Sequence, residues 1–147
     1  MTLDQLTPDI ALANLFNNKV EVQTSATEKH TIKCYADGAQ PQKGLGNEFL
    51  SVLWNGSARA RATQMGCLEG NLALVINCKL LNSTRSGQTI NKQRVNQILA
   101  QCQSLAHGVS AGGFFFSVDP QQVITPTTAN LTTGYSTTVI NIEWHEN

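Results

Sequence analysis

Asn91-Lys92-Gln93-Arg94-Val95-Asn96-Gln97-Ile98-Leu99-Ala100-Gln101-Cys102-Gln103-Ser104-Leu105-Ala106 is the stretch that decides the fold. Val95, Ile98, Leu99, Cys102 and Leu105 recur at the 3.6-residue period, which predicts a helix with one apolar face turned toward a sheet. Thr89 or Asn91 is placed to cap its start and Gly108 to close its end. Burying four or five such side chains contributes on the order of 8 to 12 kcal/mol before conformational entropy is set against it. A glycine-rich break follows, then two β-patterned segments. The first opens at Phe114-Phe115-Phe116-Ser117-Val118, is broken by Asp119-Pro120 and resumes at Val123-Ile124-Thr125. After a Thr-rich turn from Pro126 to Gly134, the last strand sends Thr138, Ile140, Ile142 and Trp144 to one face and Val139, Asn141 and Glu143 to the other. Three consecutive phenylalanines cannot all point inward from one strand, so at least one needs cover from elsewhere.

Upstream, Thr7-Pro8-Asp9 has the chemistry of a helix start: a side chain able to accept first-turn amides, a proline where its missing N–H is harmless, and an acid at the positive end. Leu6, Ile10, Ala13 and Phe16, with Leu12 on the flank, form its apolar stripe. Lys19 to Thr24 and Thr31 to Tyr35 alternate as strands, Ala36 to Gly46 lacks periodicity and reads as a loop, and Glu48 to Trp54 is apolar on both faces apart from Ser51. Asn55-Gly56 carries a tight-hairpin signal, with Ser57 to Gln64 returning from it. Leu72 to Leu81 is the most apolar strand, flanked by neighbours on both edges. These patterns predict an α+β fold: a single antiparallel sheet with two helices packed on one face, in the order α-β-β-β-β-β-α-β-β. At 147 residues the chain reads as one domain, burying roughly two-thirds of the surface of its unfolded form.

Charged residues make up 14% of the chain and the formal net charge is zero, so surface polarity rests on Asn, Gln, Thr and Ser. That balance argues against a nucleic-acid or anionic-membrane binder. Arg59, Arg61, Lys79, Arg85, Lys92 and Arg94 read as solvated strand and helix faces, with a local basic face as the alternative. Cys34, Cys67, Cys78 and Cys102 are too widely spaced for zinc geometry and read as free thiols. No basic leader or membrane-length apolar run is present, so a reducing cytoplasm is the expected place of synthesis.

Gly108-Val109-Ser110-Ala111-Gly112, preceded by His107, has the Gly-x-Ser-x-Gly spacing of serine hydrolases. A nucleophile elbow needs a strand before the serine and a helix after it, and here the order is reversed. Gly44-Leu45-Gly46 lacks the third glycine and the helix of a phosphate loop. His30, His107 and His145 stand apart in sequence, and Asp119, Glu48 and Glu143 pair only if the fold brings them together. No catalytic residue, metal ligand or cofactor is expected. Trp54 and Trp144 read as core anchors, with subunit contact as the second role.

The order helix, strands with a long irregular loop, second helix and closing strands ending at Val139-Ile140-Asn141-Ile142-Glu143-Trp144 resembles the tail-terminator and tail-completion proteins of long-tailed bacteriophages. The resemblance runs from Pro8 through Leu72–Leu81 and Asn91–Ala106 to the terminal strand, and rests on topology, with no motif to carry functional residues across. It implies a structural virion protein rather than an enzyme. Such proteins form a hexameric ring that caps the tail tube and joins it to the head connector. The partners implied are further copies of the chain, tail-tube protein and head–tail connector protein, with no membrane, and with DNA only as passing cargo. The segments suited to ring contacts are the loop holding Gly44, the Arg59 and Arg61 strand with Trp54 before it, and the turn at Leu131. Another neck or minor tail component is the nearest alternative. A small enzyme or ligand-binding domain built from Ser110, His107 and Asp119 is the more distant one.

Overall fold

A computed structural model describes residues 6–23, 27–36, 48–62, 66–79, 85–118, 128–130 and 135–147, with backbone alone at 85–91, 128–130 and 135. In chain order the elements are α1 (Pro8–Phe16), β1 (Glu21–Gln23), β2 (Lys29–Thr31), β3 (Lys33–Ala36), β4 (Phe49–Leu53), β5 (Arg59–Ala60), β6 (Leu68–Lys79), α2 (Arg85–Ala106), β7 (Val109–Ala111), β8 (Phe114–Ser117), β9 (Thr128–Asn130) and β10 (Tyr135–Glu146).

The spine is the antiparallel pair β6 and β10, in register from Tyr135 opposite Lys79 to His145 opposite Glu69. Alternation sends Leu72, Leu74, Ile76 and Cys78 of β6 into the core with Ser136, Thr138, Ile140, Ile142 and Trp144 of β10. Asn71, Asn141 and Glu143 emerge on the opposite face. Each spine strand is longer than any neighbour, so each outer edge takes two short strands. β4 and β5 lie along β6, and β8 and β9 lie along β10. β3 and β7 end the path β3-β4-β6-β10-β8-β7, while β1 and β2 form a separate hairpin.

This overturns the single antiparallel sheet with both helices on one face. The eight-stranded sheet is mixed and curled into a half-barrel. β3 runs parallel to β4, Lys33 beside Phe49 through Ala36 beside Val52. Alternation reports which face a residue occupies and says nothing of strand direction, and residues 37–48 supply the dozen or so positions a parallel crossover requires. Curling is evident at α1, which touches β3 and β4 at one end of the path and β7 and β8 at the other. Accumulated strand twist lets the sheet wrap around a helix instead of lying flat beneath two. α2 packs on β6 and on the separate β1.

Asn55-Gly56 does not make a two-residue hairpin, because β4 and β5 both pair with β6 and not with each other. It turns a bulging loop in which Ser57 N–H donates to Asn55 Oδ1 at 2.9 Å, with Gly56 at φ +81°. Between Thr31 and Tyr35 the chain makes the end of β2 and most of β3, divided at Ile32. α2 begins at Arg85, so Thr89 and Asn91 lie inside the helix and do not cap it. Its buried stripe of Val95, Ile98, Leu99 and Cys102 is as the period predicts, with Leu105 half-buried. The Val123-Ile124-Thr125 continuation lies outside the described residues, and within Pro126 to Gly134 residues 128–130 form β9.

α1 starts at Pro8 after Thr7, but the Thr7 side chain makes no capping bond. Its face is rotated from the predicted stripe: Leu6 and Ile10 are exposed, while Ala11, Leu12, Ala13, Phe16 and the carboxylate-bearing Asp9 are buried. The small side chain of Ala11 is needed where the β7–β8 turn meets the helix. That turn is Gly112-Gly113, both left-handed at φ +62° and +89°, as a tight hairpin requires. A Cβ on Gly112 would stand 2.8 Å from Ala11 Cβ. Gly112→Ala is therefore expected to cost more than Gly56→Ala, whose Cβ would meet nothing within 4 Å. Left-handed strain alone amounts to about 1 to 2 kcal/mol, and the collision adds about 1 to 3 kcal/mol. Urea denaturation of the two variants measures the difference, and equal losses would show that this contact does not constrain the fold.

Candidate functional site

Glu48, just before β4, is the most deeply buried described carboxylate after Asp9, with its side chain 1% exposed. It forms an ion pair with Arg94 of α2, whose side chain is 12% exposed. Its Oε2 also lies 3.2 Å from His30 Nε2 on β2. One carboxylate thus ties together the helix, the small hairpin and the sheet. A second tie lies about two turns further along the same face of the helix, where Gln101 Oε1 accepts Glu21 N–H at 2.8 Å and Gln101 Nε2 donates to Glu21 O at 2.6 Å.

The buried thiols lie around this junction. Burial pushes Cys78 up to about 12, the negative charge of Glu48 adding to the rise and Arg94 opposing it. Burial likewise pushes Cys102 up to about 12. It raises Cys34 as well, with Cys102 contributing. Thiols held protonated are poor nucleophiles and poor metal ligands. The arrangement fastens elements together.

The Gly-x-Ser-x-Gly residues fall on the hairpin that leaves α2. Gly108, at φ +72°, ends the helix, Ser110 is exposed on β7, and its hydroxyl donates to Asn147 Oδ1 at 3.4 Å. His107 Nδ1 accepts Val118 N–H at 3.1 Å, so in the neutral ring Nε2 carries the proton. The histidine therefore serves the backbone and not the serine. Asp119 lies outside the described residues, and Glu143 is exposed on the face opposite the core, apart from Glu48.

Of the expected contact residues, Gly44 and Leu131 lie outside the described residues. Arg59 and Arg61 stand at one end of the sheet's outer face. Arg59, with its side chain 80% exposed, pairs with Glu69 at 3.0 Å. Arg61 Nη1 lies 3.2 Å from His145 Nδ1, and the His145 ring stacks on Phe115 at 4.9 Å. Phe115 is thus the phenylalanine that turns away from the core, leaving Phe114 and Phe116 buried. Arg94 is spent on Glu48, so the six basic residues do not form one face. Trp54 is half-buried, donates to Ser57 O at 3.0 Å and meets Trp144 edge-on at 6.0 Å. Gly70 makes room for this pair, since a Cβ there would lie 2.9 Å from the Trp144 ring. Beside it, Asn55, Ser57, Ala58, Arg59, Glu69 and Asn71 line a cleft of ≈ 210 Å³.

The Glu48–Arg94 pair went unread in the sequence, although a signal exists. Arg94 precedes Ile98 by four residues and so flanks the apolar stripe, and Glu48 abuts a strand buried on both faces. Among the described residues, no group of three or more His, Cys, Asp or Glu side chains could hold a metal, and no helix is long and apolar enough to cross a membrane. Compared with known proteins, the chain matches no family model, no curated protein and no solved structure.

Removing one partner of the buried pair is expected to cost about 3 to 5 kcal/mol. Glu48→Leu alone strands Arg94, whereas Glu48→Leu combined with Arg94→Met recovers most of the loss. Denaturant unfolding of both variants checks this, and additive losses in the double variant would rule out the ion pair as the linking element. The thiols give a second test. Unfolded thiols ionise near their ordinary value of 9.0 while folded Cys78 and Cys102 keep their protons to about 12. The unfolded state then binds fewer protons in that window, so stability falls as pH rises from about 9 to about 12. Cys78→Ala and Cys102→Ala flatten that slope in denaturant midpoints measured across the range. With a thiol reagent at neutral pH, half-buried Cys67 reacts in the native protein, and Cys34, Cys78 and Cys102 react only on unfolding.

Proposed function

We propose that this protein is a structural virion-assembly subunit of the tail-terminator or tail-completion kind, working as a ring of identical copies that caps the tail tube and meets the head connector. The observation that carries the reading is the sheet's outer face. An antiparallel sheet with one solvated face ordinarily turns polar and charged residues to water. Here the rows across β4, β6 and β10 are Ser51-Val75-Val139 and Leu53-Ala73-Asn141, with no charge in either. Leu53 is 42% exposed at the rim, Leu6 is 42% exposed just before α1, and Ile10 is 38% exposed on it.

Among the described residues, apolar side chains thus stand exposed at Leu53 on one side of the layer and at Ile10 on the other, while Ser51, Ala73, Val75 and Val139 are buried or half-buried. A ring needs this, because each subunit meets its two neighbours through different surfaces. The amide-rich, net-neutral composition supports the same reading, since contacts between like copies are not opposed by accumulated charge. The enzymatic alternative loses its best support with His107 turned to the Val118 amide.

Sedimentation velocity and negative-stain microscopy across a concentration series are expected to give a closed ring, and the ring is expected to bind purified tail-tube protein. Monomers at every concentration, with no affinity for the tube, would sink the proposal.

A further inference from the structure

Asn55-Gly56 is the only Asn-Gly step in the sequence, and the fold holds it in one defined arrangement. Both residues are exposed in the loop between β4 and β5. The Ser57 N–H donates to Asn55 Oδ1 at 2.9 Å, which folds the side-chain amide back along its own main chain toward the Gly56 peptide. Gly56 stands at φ +81°, and a Cβ there would meet nothing within 4 Å. The Gly56 peptide is therefore crowded neither by a side chain of its own nor by a packed neighbour.

The parts of an acyl transfer are thus gathered around one amide: an electrophilic carbonyl carbon, a main-chain nitrogen able to close a five-membered ring on it, and a donor on the oxygen that takes up negative charge. The distance of 2.9 Å from the Ser57 nitrogen to that oxygen is within the range that stabilises an oxyanion.

We propose that Asn55 is a site of spontaneous deamidation, with hydroxide and water as the co-reactants. Hydroxide removes the Gly56 amide proton, and the nitrogen bonds to Asn55 Cγ while the carbonyl electron pair moves to Oδ1 beneath the Ser57 N–H. The pair returns as the Cγ–Nδ2 bond breaks, and ammonia leaves with a proton from water, which regenerates hydroxide. Water then opens the cyclic imide at either carbonyl. Cleavage at Cγ restores the ordinary main chain with aspartate in place of asparagine, whereas cleavage at the main-chain carbonyl leaves an isoaspartyl link that is one carbon longer.

The two products differ in their effect on the fold. Ser57 O accepts Trp54 Nε1 at 3.0 Å and lies 3.0 Å from the place a Gly70 Cβ would take, so the turn seats the edge-on Trp54–Trp144 pair. Aspartate keeps an oxygen for the Ser57 N–H and leaves that seat intact. The longer isoaspartyl main chain shifts Ser57 away from Trp54 and opens the indole to water. None of this depends on self-association.

The full-length protein, held at mildly alkaline pH both natively and in urea, is digested for peptide mass mapping. The amide-to-acid mass change is expected at Asn55 before any other asparagine, and no more slowly in the native chain than in urea. Gly56→Ala is expected to slow it at least about ten-fold in both conditions. With L-isoaspartyl methyltransferase as the probe, aged native protein is labelled at this position and its tryptophan emission moves to the red in step, while fresh Asn55→Asp emits as the fresh wild type does. Conversion that starts at another asparagine, runs faster in urea than natively, or keeps its rate in Gly56→Ala overturns the proposal. Labelling with unchanged emission overturns the coupling to the tryptophan pair.

Discussion

Burying one face of β6 and β10 along their whole length is the constraint from which the rest of the molecule follows. Both strands run 12 residues, about twice the usual strand, and their inward side chains need cover from end to end. Two short strands on each outer edge extend the sheet, and accumulated twist curls it until α1 can bridge its two ends. Gly70 and Gly112 mark where this closure is tightest. At one, the Trp144 ring lies over bare backbone, and at the other the hairpin tip sits on Ala11. Neither position has room for a side chain.

The same demand explains the buried charge. α2 reaches the sheet through β6 and the small hairpin through β1, and apolar packing alone does not fix how a helix is rotated over a curved surface. Glu48 and Arg94 supply a directional contact at that junction, with His30 fastening the hairpin to the same carboxylate. Such a pair gains little over well-packed apolar residues but is costly to break singly. Its effect is to set the rotation of the helix more than to add stability.

What was legible in the sequence was whatever a period reports. The stripe from Val95 to Cys102 and the alternation from Thr138 to Trp144 each fixed a buried face, and Pro8 fixed the start of α1. What was not legible concerned choices a period does not encode. Lys33–Ala36 alternates equally well parallel or antiparallel to its neighbour. Asn55-Gly56 favours a turn, but whether the flanking strands pair with each other or share a longer one depends on how long β6 runs. α1 is apolar on most sides, so its orientation was set by the need for Ala11 under the glycine turn and not by Leu6 and Ile10. The Glu48–Arg94 pair joins residues far apart in the chain, and of the expected contact residues the structure describes Arg59, Arg61 and Trp54 but brings them to no ligand.

Those two stranded leucine and isoleucine side chains connect the fold to its proposed role. Ala11 takes the place against the hairpin tip while Leu12 and Phe16 face the core, so closing the half-barrel leaves Leu6 and Ile10 exposed. The loop that carries the chain from β4 to β5 likewise leaves Leu53 exposed at its rim. Both exposed positions are therefore consequences of how the sheet closes. In a net-neutral chain whose side-chain amides outnumber its charged groups, contacts between copies in the proposed ring would rest on apolar burial and amide hydrogen bonds. These are little affected by ionic screening, unlike exposed ion pairs. Assembly of that kind responds chiefly to the local concentration of copies, which suits a subunit that closes a ring only where its neighbours are already gathered.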